Sequence, residues 1–374
     1  MASKDLPCAT QATMTASLSC FIFEGAAYNI IFIGRILPAA GKEALVTPYA
    51  IIFNLIWGLA LASYIRAHIA DPGRVPKRWQ EFVRSVGDAL PVAPPRQEWQ
   101  PGKATFCERC EIPRPERAHH CTACQTCVLR MDHHCAWIDN CVGFHNHKFF
   151  FLLLIYAFLA SVIAVVTSLP EFLLCLTVVT GVTDGLGLEA ARMLQYTRKT
   201  DVLAFVISGI LSLFFAVLLL PMVYTHLPLA ARNQTAIESN YQNMPNPFDQ
   251  GSRVANVAQI FGACGPDWVV PVQPFKPLSD GITFRRSDES GSSASFAEQA
   301  AEWNDGEDSE VGGSESEKLW KMRYRVRRRD QTPRTPPSDA GPLSSFARWW
   351  KGNSAPELTS PSALGGSKRE LVLG

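Results

Sequence analysis

Long apolar runs occupy the first 225 residues, whereas the last hundred are rich in Ser, Gly, Pro, Glu and Arg. A bilayer-spanning helix needs about 20 mainly apolar residues. Three runs meet that length. They are 46–65 (VTPYAIIFNLIWGLALASYI), a run that starts at Phe149 (FFFLLLIYAFLASVIAVVTSL) and stays apolar past Pro170 to Val179, and 202–224 (VLAFVISGILSLFFAVLLLPMVY). Buried helices of soluble proteins are usually shorter than these. A fourth run, 18–37 (LSCFIFEGAAYNIIFIGRIL), contains Glu24 and has Arg35 near its end. Arg35 can snorkel to an interface, but Glu24 needs a partner or an interfacial position. We read 18–37 as the first span, with a helix lying in the interface as the alternative. No basic segment precedes it, so it does not read as a signal peptide.

An even number of spans puts both termini on one side. The loop 66–148 carries a dozen Lys and Arg, the loop 38–45 only Lys42, and the loop 180–201 only Arg192, Arg198 and Lys199. The basic excess predicts a cytosolic middle loop and cytosolic termini. Beyond Lys276 the chain alternates acidic blocks (DGEDSE at 305–310, SESE at 314–317) with a basic one (KMRYRVRRR at 321–329). Such composition predicts a disordered tail. The basic run reads as a trafficking signal, a contact with anionic lipid, or simply a solvated charge block. FARWW at 346–350 offers a short interfacial contact. The expected organisation is a cytosolic N-terminus (1–17), helices one and two (18–68), a cytosolic loop (69–148, with a cysteine-rich core at 105–148), helices three and four (149–225), a cytosolic C-terminal segment (226–275) and a tail (276–374).

The net charge of +1 gives no global field that would draw nucleic acid. The cysteines are more informative. Seven of the eleven fall between Cys107 and Cys141, in CERCEIPRPERAHHCTACQTCVLRMDHHCAWIDNC. Two Cys-x-x-Cys pairs, Cys107/Cys110 and Cys121/Cys124, are joined by Cys127 and Cys141 and by histidines at 119, 120, 133 and 134. These gaps suit tetrahedral zinc sites better than a disulfide framework, and a reducing compartment would keep the thiols free. Two Cys3His sites would use six cysteines and two histidines, leaving one cysteine and two histidines over. Spacing alone does not say which cysteine is spare. Cys135 follows Asp132, His133 and His134 directly. A histidine can take a thiol proton and a carboxylate can orient the imidazole, so Asp-His-Cys holds the parts of an activated nucleophile. The plainer alternative makes Cys135 one more ligand.

The segment resembles the cysteine-rich domain of the DHHC family of protein S-acyltransferases, the palmitoyltransferases. The resemblance rests on Cys107, Cys110, Pro113, Arg114, Pro115, Arg117, His119, His120, Cys121, Cys124, Cys127, Met131, Asp132, His133, His134, Cys135, Trp137, Asn140, Cys141, Val142, Gly143 and Asn146. Asp71-Pro72-Gly73 resembles the family's Asp-Pro-Gly motif, 233–238 (NQTAIE) its Thr-Thr-x-Glu motif, and 256–262 (NVAQIFG) its short C-terminal motif. The match runs from about residue 46 to 265.

The resemblance implies an all-α polytopic membrane protein, a four-helix transmembrane bundle with a small cytosolic zinc-bound cysteine-rich domain. It implies one structural zinc on Cys107, Cys110, His120 and Cys127, and a second on Cys121, Cys124, His134 and Cys141. Cys135 would be the nucleophile, His133 its base and Asp132 the orienting carboxylate. Palmitoyl-CoA would acylate Cys135, and the acyl group would pass to cytosolic cysteines of membrane-associated proteins in a ping-pong exchange. Arg114, Arg117 and His119 would contact the CoA phosphates, or else serve as surface charges paired with Glu111 and Glu116. The bilayer is the expected setting, in the ER or Golgi with the site facing the cytosol, and no nucleic-acid partner is expected. Two departures stand out: Ala136 replaces the usual Pro after the nucleophile, and Ala236 replaces the motif's second Thr. The competing readings are a zinc-stabilised interaction module and a transporter. The first does not need the neighbouring motifs, and the second calls for polar groups midway along its spans.

Overall fold

In the computed structural model, residues 6–181, 195, 197–287 and 315–326 are described. Among the described residues, four helices are long and apolar enough to cross a bilayer: Thr10–Ala39, Glu43–Ile69, His147–Thr180 and Lys199–Ala231. The first is composite. An α-helix, α1 (Leu6–Ala26), continues as a π-helical stretch (Ala27–Ile36) and a last α turn (Leu37–Ala39). The others contain α2 (Val46–Ile69), α4 (His147–Thr180) and α5 (Lys199–Ala231). The run 18–37 is therefore helical throughout and belongs to the bundle.

Aromatic packing holds the bundle together. Tyr28 stacks on Phe53 with ring centroids 3.9 Å apart, and Phe32 on Phe205 at 5.5 Å. Glycines admit two close approaches: a side chain at Gly25 would collide with Trp57, and one at Gly209 with Phe172. The outer faces keep Ile51, Leu55, Val166, Leu213 and Val217 exposed, as a lipid-facing surface requires. The charges flagged in the first span find partners. Arg35 donates to both oxygens of Asp201 at 2.7 Å, and Glu24 accepts from Ser212 at 2.7 Å. At the same end as Arg35, Lys42 pairs with Glu171. Paired in this way, neither charge excludes a spanning helix.

The connecting loop folds against one end of the bundle. A short helix, α3 (Lys77–Val86), precedes seven short strands: β1 (Val92–Ala93), β2 (Ala104–Cys107), β3 (Ile112–Arg114), β4 (His119–Cys121), β5 (Thr126–Val128), β6 (His133–Cys135) and β7 (Asn140–Val142). β1, β2 and β3 form one sheet, and β4–β5 and β6–β7 are separate two-stranded hairpins. The expectation of an all-α chain thus holds for the membrane part and not for this domain. Strands this short bury little surface, so they cannot be read from hydrophobic alternation.

Side chains of the family-like motifs fix this domain to the helices. The Asn140 amide donates to the carbonyls of Ala67, His68 and Ala70 at 2.9–3.1 Å, which caps the C-terminal end of α2. Asp71 accepts from the backbone of Gly73 and Arg74 at 2.7 and 2.8 Å, and Gly73 adopts the positive φ of 104° that this turn needs. The Gly73 carbonyl then accepts from Leu129 at 2.7 Å. Beyond α5, Asn256 in helix α6 (Arg253–Phe261) donates to the Ala231 carbonyl at 2.9 Å and closes the end of α5.

The tail departs from expectation. Residues 276–287 fold onto the cysteine-rich domain through Ile282 and Phe284, each 2% exposed. A further helix, α7 (Glu315–Arg323), packs there as well. The disordered tail expected from residue 276 onward is corrected for these two stretches, because a few buried apolar anchors outweigh polar average composition. The acidic run 305–310 and the FARWW stretch at 346–350 lie outside the described residues.

A side chain at Gly143 would meet the Pro72 carbonyl and Val128. Gly143→Ala is therefore expected to destabilise the domain by about 1–3 kcal/mol, the usual cost of overpacking. Thermal unfolding in detergent or nanodiscs measures it, with Gly58→Ala in α2 as the control, because an added Cβ there meets nothing within 4 Å and the backbone is not at positive φ.

Candidate active site and metal centres

The hairpin registers place the candidate metal ligands. In β4–β5, His120 stands opposite Cys127, and in β6–β7, His134 stands opposite Cys141. Each cross-strand pair meets a Cys-x-x-Cys turn from the preceding hairpin. Cys107 and Cys110 join His120 and Cys127, while Cys121 and Cys124 join His134 and Cys141. In the first group the His120 Nδ1 lies 3.6, 3.2 and 3.9 Å from the sulfurs of Cys107, Cys110 and Cys127. In the second, His134 Nδ1 lies 3.7, 3.4 and 3.7 Å from those of Cys121, Cys124 and Cys141. A zinc tetrahedron with Zn–S near 2.3 Å and Zn–N near 2.0 Å has edges of about 3.5–3.8 Å. Both donor sets fit such an ion.

The same registers show why Cys135 stands apart. The turns repeat at a 14-residue step, from Cys107 to Cys121 to Cys135 and from Cys110 to Cys124 to Ile138. The third turn thus carries isoleucine where the first two carry their second sulfur, and the chain enters α4 instead of forming another hairpin. Ile138, 1% exposed, packs with Tyr64, Phe149 and Phe150 against the bundle. This repeat is visible in the sequence, and it is the signal that ligand counting passed over.

Strand alternation does the rest. Along β6, residues 133 and 135 face one side and 134 the other. His134 turns to the Cys3His group, and His133 and Cys135 share the opposite face of the strand. The Asp132 carboxylate, 1% exposed, accepts from His133 Nδ1 at 2.7 Å through one oxygen and from the Ala236 N–H at 2.8 Å through the other. Burial alone would raise the Asp132 pKa, but these hydrogen bonds and nearby imidazoles hold it below the usual carboxylate range. Burial works against charge on His133 as well, yet the bonds to Asp132 and Cys135 raise it to about 9. The Ala236 departure is harmless to this contact, because the backbone makes it. Thr235 retains its hydroxyl, which accepts from the Glu238 N–H at 3.3 Å.

His226 on α5 joins this cluster and was not singled out from the sequence. Its Nδ1 lies 3.8 Å from Asp132, and its ring packs at 5.3 Å on Phe150, which itself meets His133 at 5.1 Å. A lone histidine in an apolar helix carries no local motif, so only the packing of α5 exposes it.

Cys135 opens onto an apolar cavity inside the bundle, bordered by Tyr64, Phe150, Leu154, Phe215 and Leu219. Glu24 and Ser161 also line it. Ser161 lies eleven residues along α4 from Phe150, about 16 Å deeper by helical rise.

Arg114, Arg117 and His119 line a second, polar cavity on the cysteine-rich domain, together with Arg96 and Lys103. Their states differ. Arg114 donates to Thr105 Oγ1 at 2.7 Å and stays half-buried. Burial lowers the His119 pKa to about 4, so it is neutral near pH 7. The Arg117 side chain is 2% exposed and forms a two-pronged pair with Glu238 at 2.7 Å, with further bonds to Asn233. Its donors are spent internally, so the expectation that Arg117 contacts a ligand phosphate is corrected. Its expected alternative partner, Glu116, binds elsewhere.

If the two groups hold metal and Cys135 does not, wild-type protein retains two ions per chain and Cys135→Ser retains both. Cys110→Ser and Cys124→Ser each lose at least one. Elemental analysis of purified protein measures all four.

A family model of the DHHC palmitoyltransferases matches residues 100–243. Among curated proteins, the chain is 31% identical over 254 residues to "Probable protein S-acyltransferase 13" of Arabidopsis thaliana, covering 65% of this chain and 78% of the relative. It is 33% identical over 244 residues to "Probable protein S-acyltransferase 12" of the same plant, covering 64% and 78%. To the human "Palmitoyltransferase ZDHHC20" it is 33% identical over 214 residues, covering 56% and 53%. The matched segment holds both Cys3His groups and the hairpin that leaves Cys135 free, and with those relatives it makes the chain a member of the DHHC palmitoyltransferase family, an S-acyltransferase acting on protein cysteines.

Proposed function

We propose that Cys135 takes a long-chain acyl group from acyl-CoA and passes it to cysteines of membrane-associated proteins. One observation carries this reading: the sulfur shares a strand face with the Asp132-oriented His133 and opens onto an apolar cavity in the bundle. His133 accepts the Cys135 thiol proton. The thiolate attacks the thioester carbonyl carbon, the carbon–sulfur bond to CoA breaks, and the proton leaves with the CoA thiol. A substrate cysteine then repeats the exchange, releasing Cys135. One thioester replaces another at each step, so no nucleoside triphosphate is consumed.

The two Cys3His groups would hold structural zinc, which supplies the rigidity that strands of three or four residues cannot. Arg114, with Arg96 and Lys103 beside it, would meet the CoA phosphates, and His119 would add a neutral hydrogen bond. The basic loop supports a cytosolic active site, and an ER or Golgi location is the setting we propose.

Reconstituted protein incubated with labelled palmitoyl-CoA tests the reading. Wild type is expected to gain hydroxylamine-sensitive label, Cys135→Ser none, and Asp132→Asn at least about tenfold less per minute, since general-base assistance contributes about 10²–10⁴. Label that persists on Cys135→Ser would remove the assignment.

Ser161 and Glu24 set the depth of the cavity. Ser161→Phe is expected to fill it and shift preference from palmitoyl-CoA toward shorter acyl-CoAs, read as the ratio of labelling rates for the two donors. An unchanged ratio would place the acyl chain elsewhere.

A further inference from the structure

The basic run at 321–329 reads from the sequence as a trafficking signal, a contact with anionic lipid, or a solvated charge block. Its described part does something else. Trp320 is 3% exposed and Tyr324 fully buried, both against Trp79, and Trp320 also meets Phe82 edge-on at 5.3 Å. The Trp320 indole donates to Asp280 at 2.7 Å. Arg323, 4% exposed, donates through Nε to Glu116 at 2.8 Å, and the Tyr324 hydroxyl accepts from the Glu116 N–H at 2.9 Å. The remaining Glu116 oxygen accepts from the Gly102 N–H at 2.8 Å.

Glu116 sits beside Arg117 in a turn that leads to the acyl-transfer site by two routes. The Arg117 carbonyl accepts from the Met131 N–H at 3.2 Å, next to Asp132. The Arg117 guanidinium holds Glu238, which accepts from the Thr235 N–H at 3.0 Å and so sets the loop whose Ala236 N–H reaches Asp132. Arg117 has a φ of 63°, a left-handed backbone that non-glycine residues keep only when their surroundings hold it. The tail and the motif loop grip this turn from two sides, and both guanidiniums lie over Phe248, at 4.6 Å for Arg117 and 5.8 Å for Arg323.

We infer that the segment 315–326 is a strap that docks in cis on the cysteine-rich domain, with Arg323 and Tyr324 as positioning residues that hold Asp132 through Glu116 and Arg117. The inference rests on Asp132 and Cys135 acting as proposed above. Binding energy far from the sulfur then enters the rate, because the strap stabilises the one turn arrangement in which Asp132 is held from both sides.

The test uses the full-length chain in nanodiscs and follows self-acylation by palmitoyl-CoA, with metal content and melting temperature measured alongside. Trp320→Ala/Tyr324→Ala is expected to label about fivefold more slowly, the low end of site-to-site coupling. The apparent KM for palmitoyl-CoA and the two metals per chain should not change. A synthetic peptide of residues 315–326, added in excess, is expected to restore the rate. Tyr324→Phe removes a single hydroxyl and is expected to slow labelling in the same direction with no loss of metal. An unchanged rate in the double variant, or slow labelling that only accompanies lost metal, overturns the inference. Should the double variant fail to fold, Tyr324→Phe decides: full speed with both metals overturns the inference, and slower labelling with both metals supports it. An unlabelled wild type would instead overturn the underlying reading of Cys135.

Discussion

Three residues of β6 serve two masters. His134 faces the Cys3His group, whereas Cys135 borders the apolar cavity with His133 on its own side of the strand, and only the period-two alternation of an extended strand sends neighbours to opposite sides. Everything around the strand holds that alternation in place. Cys121, Cys124 and Cys141 surround His134 from one side. Ile138, Val142 and Phe150 pack with Cys135 on the other. A shift of one residue would put the Cys135 sulfur into the Cys3His group and the His134 imidazole toward the cavity.

The domain that carries this strand has little apolar substance of its own. Its strands are two to four residues long, and its hairpins meet through sulfur and imidazole. It is also built onto its neighbours. Asn140 closes the end of α2, Asp71 and Gly73 turn the chain onto Leu129, and the Asn233–Glu238 segment after α5 reaches Asp132. Motifs far apart in the sequence are thus the fasteners of one small hairpin. The buried Arg117–Glu238 pair belongs to this set. Removing one partner of such a pair leaves an uncompensated charge and costs about 3–5 kcal/mol, whereas the intact pair supplies orientation more than stability.

Much of this was legible in the sequence, and the misses have physical causes. The spans at 46–65, 149–179 and 202–224 fall inside observed helices because bilayer length and backbone satisfaction leave few alternatives. Glu24 and Arg35 looked like obstacles because a single sequence does not show that Ser212 and Asp201 face them from α5. The strands were missed because cysteine and histidine spacing carries no hydrophobic period. The strap was missed because Trp320 and Tyr324 are two anchors in a polar, charged stretch, and averaging over composition hides them.

The sequence by itself determined which residue types could make metal groups and a thiol nucleophile, and where the membrane must be crossed. Ligand chemistry and helix rise are local properties, so spacing along the chain reveals them. Only the tertiary structure decided that Arg117 is an internal brace, that Ala236 serves Asp132 through its backbone, that His226 stands beside the pair, and that the tail grips Glu116. Each of these depends on a partner about 90 to 210 residues away, and which distant groups meet is fixed by the packing of helices and hairpins, not by the order of residues along any one of them.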